Sequence, residues 1–504
     1  MKAEASGALP PAGKGRIALE RTDSAARAER MKNWLLIAVT AAFLITLAPM
    51  LLIAKYNVPY GDDVLFGAPA EKAYAETGSA LAAAGAAAGV VADYYGNWQG
   101  TYAAIFLMAL EPGVFGEGYY ALTPFLMIGA LALSSLLFAR TVSSRLLGAD
   151  RRTAAIVALL ILLYSVQFAP SAREAFYWYN GAVYYAFFHC LFLCLLSLLI
   201  LINKAKRAGS AILCGVLGVL LSAVIAGGNY ATALPCGAFL ALNLVCYLVP
   251  AFCGGLDKPR RAAGAAFAAI MLVVFCAGML VSVTAPGNAV RQAAVDGLYE
   301  GLPAPAAIAV SFPLALIAIL NRFDIGAVLL IALLLLFMPP YLRASRFSFR
   351  RPALAALLAF SIYACQFTPT LYAAGSPGPY RLRNVEFFNF YWLLCFVTCY
   401  VCGAAIRRRE ADAAPDAFES CRLRTLAYFA RRPLFAVLIA ACLVGGMFLQ
   451  RDLTKTPVYD AVTELYSGVA EAHAKRRGAL LLPADEAAGL PATTEYLPES
   501  ELLS

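Results

Sequence analysis

Long apolar runs separated by short polar stretches make up most of this chain. From Trp34 onward, runs of seventeen or more residues that carry almost no charge recur as far as residue 450. An α-helix rises about 1.5 Å per residue, so about twenty apolar residues cross the hydrocarbon core of a bilayer. The pattern predicts eleven spans, at 34–54, 119–139, 153–169, 182–203, 210–227, 231–253, 264–284, 325–342, 352–372, 386–406 and 434–450. The expected fold class is an all-α polytopic integral membrane protein, with its transmembrane domain at 34–450.

Composition agrees with the apolar pattern and narrows the choice of partners. Hydrophobic residues make up 61% of the 504 positions and charged residues 14%, with a mean hydropathy of +0.71, which excludes a soluble globular protein. The net charge of +9 arises from basic residues clustered between the apolar runs. It therefore reports membrane topology, and no nucleic-acid partner is expected. Most of the thirteen cysteines lie inside apolar runs and are interpreted as small packing residues.

The distribution of Lys and Arg predicts the orientation of the spans. Cytoplasmic loops carry an excess of basic residues, which places residues 1–33 inside as a disordered tail. Residues 451–504 become a small tail on the outer face, with an amphipathic helix pattern early in it. One apolar segment, 304–320, is not counted as a span, because counting it would move the basic residues of 343–351 and 407–432 to the outer face. It is interpreted as an interfacial or re-entrant helix within an outer segment at 285–324.

The first outer loop, 55–118, is too long to be a simple connector. Its stretch 69–91 is rich in alanine, a strong helix former, and aromatic residues follow it at 94–98. This pattern favours a juxtamembrane helix on the membrane surface, with the rings at the level of the lipid headgroups. The segment 103–110 is apolar but too short to span, which predicts a second surface helix. An ordinary structured loop is the alternative.

Two adjacent carboxylates, Asp62 and Asp63, follow the first span directly after Tyr60 and Gly61. Charged groups at the edge of a bilayer are costly unless water, a cation or a substrate meets them. The pair is therefore the first candidate for catalytic residues. The alternative is a solvated start of the loop.

A second candidate segment combines aromatic and polar residues. After the third span, Arg173 and Glu174 precede Tyr177, Trp178 and Asn180. Proteins hold sugars by stacking aromatic rings on their C–H faces and pairing their hydroxyls with polar groups. The alternative for the rings alone is an aromatic belt at the bilayer interface. The candidate sugar- or acceptor-binding residues are Tyr60, Glu174, Tyr177, Trp178, Asn180, Asn229 and Asn288.

Several arginines are predicted on the outer face, where basic residues are otherwise sparse. Arg291 closes a Pro-Gly-Asn-x-x-Arg segment after the seventh span, and Arg381 and Arg383 lie just before the tenth. The planar guanidinium matches the oxygens of a phosphate. Contact with lipid headgroups is the alternative for Arg291. The candidate residues for binding a donor phosphate are Arg291, Arg173, Arg381 and Arg383.

Taken together, these features resemble the GT-C class of membrane glycosyltransferases. The resemblance rests on the acidic pair after the first span, the long first outer loop, the segment 173–181 and the Pro-Gly-Asn-x-x-Arg segment. More narrowly, the chain is similar to bacterial members grouped with O-antigen-modifying glucosyltransferases and other polyprenyl-phosphate-sugar-dependent transferases. The resemblance implies a multi-pass protein of the bacterial cytoplasmic (inner) membrane, with its N-terminus in the cytoplasm and its C-terminus outside. It also implies inverting transfer of a sugar from a polyprenyl-phosphate donor on the outer face.

The implied partners are a polyprenyl-phosphate-linked sugar, a glycan or lipid-linked acceptor and membrane lipids. The residues fit this chemistry, since Asp62 or Asp63 could take the proton of an acceptor hydroxyl and an arginine could stabilise the departing phosphate. No second acidic motif of the kind carried by metal-dependent oligosaccharyltransferases is found, so no metal ligand or cofactor is assigned and a divalent metal stays open. The alternative function is a polytopic transporter or flippase for lipids or glycolipids, without glycosyl transfer.

Overall fold

All regular structure in the described part of the chain is helical. The structure, a computed structural model, describes residues 12–205, 207–249, 258–295, 300–411, 417–430, 445, 456–468 and 471, and these contain no strand. The expected all-α class is confirmed. The α-helices are α1 (Ala12–Ile53), α2 (Asp62–Thr77), α3 (Ala80–Asn97), α4 (Tyr102–Met108), α5 (Thr123–Thr141), α6 (Arg151–Gln167), α7 (Tyr179–Ala182), α8 (Phe188–Lys204), α9 (Ala208–Ala226), α10 (Tyr230–Leu248), α11 (Lys258–Val283), α12 (Pro286–Val295), α13 (Ala304–Arg322), α14 (Ile325–Phe337), α15 (Pro339–Ala344), α16 (Pro352–Ala364), α17 (Thr368–Ala374), α18 (Tyr380–Ala411), α19 (Ala417–Ala430) and α20 (Pro457–Ser467).

Nine helical segments of the described chain are long and apolar enough to cross a membrane, as expected of a polytopic membrane protein. They are Glu29–Tyr56, Glu117–Leu146, Tyr179–Lys204, Ala208–Ala226, Tyr230–Leu248, Lys258–Val283, Ala304–Arg322, Pro352–Ala374 and Tyr380–Ala411. Eight of them match predicted spans, and Ala304–Arg322 is the segment that the sequence analysis does not count. Of the other predicted spans, 153–169 forms the 17-residue α6 and 325–342 is divided between α14 and α15. The last, 434–450, lies outside the described residues apart from Gly445.

Basic loops gather at one end of the helix bundle. There Lys32 forms an ion pair of 2.8 Å with Asp150 and donates a hydrogen bond of 2.9 Å to the Tyr341 hydroxyl. Arg343 lies two residues further along the chain and pairs with Glu410, near the end of α18, at 3.2 Å. We call this the Lys32 end. The basic residues after α15 and those at the end of α18 therefore share one end of the bundle.

The first loop and the segment that follows α6 meet at the opposite end. Asn57 donates a hydrogen bond of 2.8 Å to the carbonyl of Tyr177. The side-chain amide of Asn384, at the start of α18, exchanges two hydrogen bonds with the backbone of Ser171, at 2.9 and 2.8 Å. We call this the Asp63 end. The predicted outer loops are thus assembled at one place.

The two ends of helix α13 contact residues in the same half of the bundle. At the start of α13, the N–H of Leu302 donates to the carbonyl of Leu371 at 2.9 Å, beside the Asp63 end. At its last residue, Arg322 pairs with Glu386 at 3.1 Å, which lies in the second turn of α18 and so in the same half of the bundle. Helices α14 and α15 continue from there to Tyr341 at the Lys32 end. These contacts are compatible with an interfacial or re-entrant segment at 304–320, which stays a prediction because its length and hydropathy also suit a span.

The alanine-rich stretch of the first loop forms two helices, not one. Helix α2 ends at Gly78, whose φ is +65°, and the Ser79 side chain caps α3 by accepting from the N–H of Ala82 at 3.4 Å. Glycine adopts this left-handed conformation without the steric cost of a Cβ, and serine is a preferred N-cap residue. The prediction of a single surface helix over 69–91 is therefore wrong.

Helix α4 lies inside the bundle and not on its surface. Ala104, Ile105 and Met108 are buried, and the carbonyl of Gly227 accepts hydrogen bonds from the N–H groups of Ala103 and Ala104, at 2.9 and 3.1 Å. These two N–H groups belong to the start of the helix, where no intrahelical partner exists. A short helix is therefore present where the second surface helix is predicted, with its apolar residues covered by the tertiary fold, and its position at the membrane surface stays a prediction.

Helix α20 of the C-terminal tail lies at the Asp63 end. It packs against α1 with Pro457 and Ala461 buried. Its carboxylates Asp460 and Glu464 lie close enough to Tyr177 for their charges to act on the tyrosine hydroxyl. The part of the tail that the structure describes at 456–468 is therefore near the predicted site.

Candidate functional site

The acidic pair opens helix α2. Gly61 precedes it with φ +56° and ψ −116°, a conformation that favours glycine. Asp62 and Asp63 occupy the first turn, where the helix dipole stabilises negative charge. The two side chains differ in exposure, because Asp62 is exposed and Asp63 is fully buried. Asp62 is therefore the carboxylate of the pair that a substrate can reach.

Asp63 holds three parts of the chain together. Its Oδ2 accepts hydrogen bonds from the Tyr120 hydroxyl at 2.5 Å and from the Tyr60 N–H at 3.1 Å, and its Oδ1 accepts from the Asn180 N–H at 2.9 Å. Burial raises the pKa of Asp63 to about 6, against the lowering effect of these hydrogen bonds. The carboxylate thus fixes the start of α2 against the segment 173–181.

Replacing Asp63 with alanine is expected to destabilise the folded protein by about 3 kcal/mol. The Tyr120 hydroxyl and two backbone N–H groups would lose their acceptor, and hydrogen bonds to charged groups contribute about 1.5–3 kcal/mol each. Thermal unfolding of the purified protein in detergent measures the effect. Asp62→Ala is the matched control, because an exposed side chain usually changes stability by less than about 0.5 kcal/mol. Equal stability of the two variants would contradict the positioning role of Asp63.

A second carboxyl is buried close to Asp63. Glu111 is 4% exposed, and its Oε2 accepts from the N–H of Gly113 at 2.5 Å. It lies against Gly67 of α2, where an added Cβ would come within 3.3 Å of the Glu111 Cγ. Burial raises the pKa of Glu111 to about 7, and the charge of Asp63 contributes to the increase. The first loop thus folds around two carboxyls whose ionisation is unfavourable.

The stability of the protein is expected to fall as pH rises from about 4 to 7. The folded-state pKa values of Asp63 and Glu111, about 6 and about 7, lie above the ordinary values of 3.8 and 4.5. Such groups contribute stability that is fully present below the unfolded-state pKa and is lost as pH rises through the folded-state pKa. A shift of two units corresponds to about 3 kcal/mol.

The measurement is the unfolding temperature in detergent as a function of pH. Glu111→Gln is the informative variant, because glutamine keeps an acceptor for the Gly113 N–H and removes the titration. Its unfolding temperature should depend less steeply on pH than that of the wild type. The same slope in both proteins would show that Glu111 does not titrate in this range.

Trp178 lies between two π-helical turns, Arg173–Tyr177 and Val183–Phe187. Such turns are rare and occur frequently at functional sites. The hydroxyl of Tyr177 donates a hydrogen bond of 2.8 Å to the carbonyl of Met50 near the end of α1. Tyr177 therefore connects the segment to the first span and anchors the aromatic group.

Arg173 and Arg381 contact the candidate segments from two directions. The Arg173 guanidinium lies 5.0 Å from the centroid of the Tyr60 ring, beside the acidic pair. Arg381 pairs with Glu174 at 3.3 Å, and its guanidinium lies 5.3 Å from the Trp178 ring. Cations in these positions are attracted by the faces of the rings. The predicted sugar-binding residues thus lie among positive charges.

Arg291 reaches the same region from α12. It donates a hydrogen bond to the side chain of Gln99, and its guanidinium lies 5.6 Å from the Trp98 ring. Arg381 and Arg291 both lie close enough to Tyr185 for their charges to act on its hydroxyl. Two arginines that are distant in sequence therefore converge on one tyrosine.

The Pro-Gly-Asn part of the motif docks α12 on the first loop. The Oδ1 of Asn288 accepts from the Gly100 N–H at 3.1 Å, and its amide nitrogen donates to a backbone carbonyl at the end of α11 at 2.8 Å. A Cβ added to Gly287 would come within 2.4 Å of the Trp98 nitrogen, so this close approach requires glycine. The motif thus holds Arg291 over the first loop, and Asn288 has a structural role.

Three side chains of the site have buried polar atoms without a hydrogen-bond partner. The atoms are Oε2 of Glu174, Nε1 of Trp178 and both amide atoms of Asn180. Leaving a buried polar atom unpaired costs about 1–3 kcal/mol. The set includes donors and acceptors, and a sugar hydroxyl can serve either of them. These atoms suit a hydroxylated ligand.

The structure does not bring all the predicted residues together. The guanidinium of Arg383 lies 5.0 Å from the Tyr380 ring, and its backbone carbonyl accepts from Arg322 at 3.5 Å. Asn229 caps α10 by accepting from the N–H of Thr232 at 2.8 Å, and its amide donates to another backbone carbonyl. Arg383 therefore stands apart from the arginines around Tyr185, and Asn229 is engaged by backbone groups.

Sequence reasoning missed Tyr120, Gln99 and Tyr185. Tyr120 supplies the shortest hydrogen bond to Asp63, yet a tyrosine at the start of a span is ordinary in a membrane protein. Gln99 and Tyr185 belong to the site only because they lie close to arginines from distant segments of the chain, which the sequence does not show. The one available signal was the position of Tyr120 and Tyr185 near the predicted outer ends of their spans.

One further observation bears on the chemistry of the site. Within the ranges that the structure describes, no three His, Cys, Asp or Glu side chains are grouped so that they could hold a metal ion.

Comparisons with protein-family models, with curated proteins and with solved structures found no match.

Proposed function

We propose that this protein is a membrane glycosyltransferase that moves a sugar from a polyprenyl-phosphate donor to a glycan or lipid-linked acceptor, with Asp62 as general base. The observation that carries the proposal is the difference between the two aspartates. Asp63 is buried and accepts three hydrogen bonds, whereas Asp62 is exposed on the turn that Asp63 fixes. A general base needs both access to the substrate and a fixed position.

In the proposed reaction the acceptor hydroxyl attacks the anomeric carbon of the donor sugar. Asp62 takes the hydroxyl proton as the new C–O bond forms, and the phosphate departs with the electron pair of the bond that breaks. A base acting with no carboxylate nucleophile suits a direct displacement, which inverts the configuration of the anomeric carbon. Asp63 does not touch the substrate and acts as a positioning residue.

The departing phosphate gains negative charge, so positioned cations lower the barrier. Arg381 and Arg291 suit this role because both act on Tyr185, and guanidinium matches phosphate geometry. Arg173 approaches the acidic pair through Tyr60. The unpaired polar atoms of Trp178 and Asn180 supply partners for sugar hydroxyls.

The proposal places the Asp63 end on the outer face of a bacterial cytoplasmic membrane. Its support is the charge at the other end, where Lys32, Arg343 and the basic residues at the end of α18 gather. The positive-inside rule assigns such an end to the cytoplasm. A lipid-linked donor would then meet Asp62 from the outer leaflet, and the product would belong to the cell envelope.

Transport of a lipid or glycolipid without sugar transfer is the second candidate function. The break between α13 and α14 favours it, because Arg322 and Glu386 form an ion pair next to this break with side chains only 12% and 3% exposed. Discontinuous helices and buried charges are typical of transport pathways. The same pair would otherwise serve to hold α13, α16 and α18 together.

The deciding experiment measures a new glycosidic bond. Purified protein in detergent is given a panel of synthetic polyprenyl-phosphate sugars with labelled sugar, together with an extract of bacterial lipids and glycans as acceptors. A second arm measures movement of the same donors across the bilayer of proteoliposomes. Transfer that is lost in Asp62→Asn supports the enzyme. If no new glycosidic bond forms and the donors cross the bilayer equally well in the wild type and in Asp62→Asn, the result contradicts the enzyme and supports transport.

A further inference from the structure

A second group of polar side chains lies inside the bundle, away from the acidic pair. His189 of α8 and Gln366, in the 3₁₀ turn Cys365–Phe367 between α16 and α17, are both 0% exposed. Asn389 of α18 is half-buried beside them. The three residues come from three different elements, so the tertiary fold brings them together. Polar groups within membrane-spanning segments are costly and usually have a function.

The polar atoms of this group are only partly paired. The amide of Asn389 donates to Oε1 of Gln366 at 2.9 Å, whereas Nε2 of Gln366 and both ring nitrogens of His189 have no hydrogen-bond partner. Asn389 lies near the imidazole but not in hydrogen-bonding geometry. A neutral imidazole has one N–H to donate and one lone pair that accepts. The group therefore needs both a donor and an acceptor from elsewhere.

The backbone around the group is irregular. The π-helical turn Val183–Phe187 ends just before α8, and a 3₁₀ turn interrupts the candidate span Pro352–Ala374 at Gln366. Interrupted helices at membrane depth are tolerated where they are buried in protein or line a cavity that holds water or a ligand. These irregularities are therefore compatible with a polar ligand in the bundle.

The group also continues the candidate site along the contact of α18 with the segment 183–189. Tyr185 and Arg381, which meet at the Asp63 end, precede His189 and Asn389 on the same two chain segments by one and about two helical turns. Polar side chains thus follow this contact from the candidate site into the bundle.

We infer that His189, Gln366 and Asn389 form a second binding site, which takes a hydroxyl group. A hydroxyl both donates and accepts, so it can pair with the lone pair of the imidazole and with Nε2 of Gln366 at the same time. Water and the ring of a sugar are two sources of that group. A charged group such as a phosphate is a poorer match at this position, because the three side chains carry no charge while His189 is neutral.

Histidine-specific ¹⁵N labelling tests this inference, because the chain has only two histidines. In the variant His473→Gln, His189 is the only labelled imidazole. Nuclear magnetic resonance of this protein in lipid bilayers shows whether the unprotonated ring nitrogen accepts a hydrogen bond, since its signal then moves to lower frequency. Transfer to D₂O shows whether the ring N–H exchanges with water. We expect a hydrogen-bonded, exchanging imidazole.

Two further variants separate a binding site from general packing. Gln366→Leu removes the neighbouring amide and keeps its size, and it should move the His189 signal towards that of a non-bonded ring. Ser197→Ala, two turns further along α8, is the matched control, because that hydroxyl already donates to the carbonyl of Leu193 at 2.9 Å. It should leave the His189 signal unchanged.

Adding a short-chain polyprenyl-phosphate sugar distinguishes the two sources of the hydroxyl. A further shift of the His189 signal with this probe identifies the sugar ring, whereas an unchanged, hydrogen-bonded signal identifies water. A non-bonded imidazole that does not exchange in D₂O, with or without the probe, would overturn the inference. The signal is read without sugar transfer, so a failure of the proposed enzyme function gives a different result from a failure of this site.

Discussion

Replacing Asp62 with asparagine is expected to lower the rate of sugar transfer by about 10²–10⁴-fold, which is the usual contribution of a general base. Asparagine keeps the shape of the side chain and can still accept hydrogen bonds, but it cannot take the proton of the acceptor hydroxyl. Because Asp62 is exposed at the first turn of α2, the free energy of unfolding should change by less than about 0.5 kcal/mol. The loss should appear in kcat, since the base acts in the transition state.

Transfer kinetics and thermal unfolding of the same preparation measure the two effects separately. Glu76→Gln is the matched control, because Glu76 is an exposed carboxylate at the other end of α2. It should change neither quantity. A kcat that is unchanged in Asp62→Asn would remove this residue from the chemistry. A loss of activity that follows only a loss of stability would leave the acidic pair with a structural role.

The sequence predicts the spans well where a single helix is apolar over its whole length. Eight candidate membrane spans coincide with apolar runs of the sequence, because hydropathy and helix length are local properties. Local hydropathy and helix length do not show how α13, α14 and α4 lie within the bundle. The end of α13 is fixed by the contact of Arg322 with Glu386, and the start of α4 by the carbonyl of Gly227. Both contacts join segments that are far apart in the chain.

The candidate site shows the same division between local and long-range information. The acidic pair, the aromatic segment and three of the arginines were recognisable from residue type and predicted sidedness. The different roles of Asp62 and Asp63 were not, because they depend on Tyr120 and on the backbone of Asn180. The positions of two adjacent aspartates on one helical turn do not show which of them contacts such partners. The roles of the arginines are likewise set by which ring or carboxylate each one contacts.

Replacing Arg381 with alanine is expected to lower transfer by about 10²–10³-fold, as loss of a preorganised charge in the transition state does elsewhere. Arg381 contacts Glu174 and Trp178, and its charge acts on Tyr185. Its removal takes away a cation for the departing phosphate and leaves the Glu174 carboxylate, whose side chain is 13% exposed, without its partner. Arg381→Lys keeps the charge but loses the planar fork, so it should restore only part of the rate.

Arg383→Ala is the comparison variant. It shows whether Arg381 acts through a specific contact with the phosphate or only adds to the general attraction of an anionic lipid. Arg383 lies two positions further along α18, but its guanidinium stacks on Tyr380 and not on Trp178. Both variants are measured with the same donor at low and high ionic strength. If Arg381 acts at short range on the phosphate, its variant alone loses kcat, and the loss persists at high salt. Equal losses that disappear at high salt would instead indicate screened, long-range attraction, and Arg381 would then have no assigned place in the transition state.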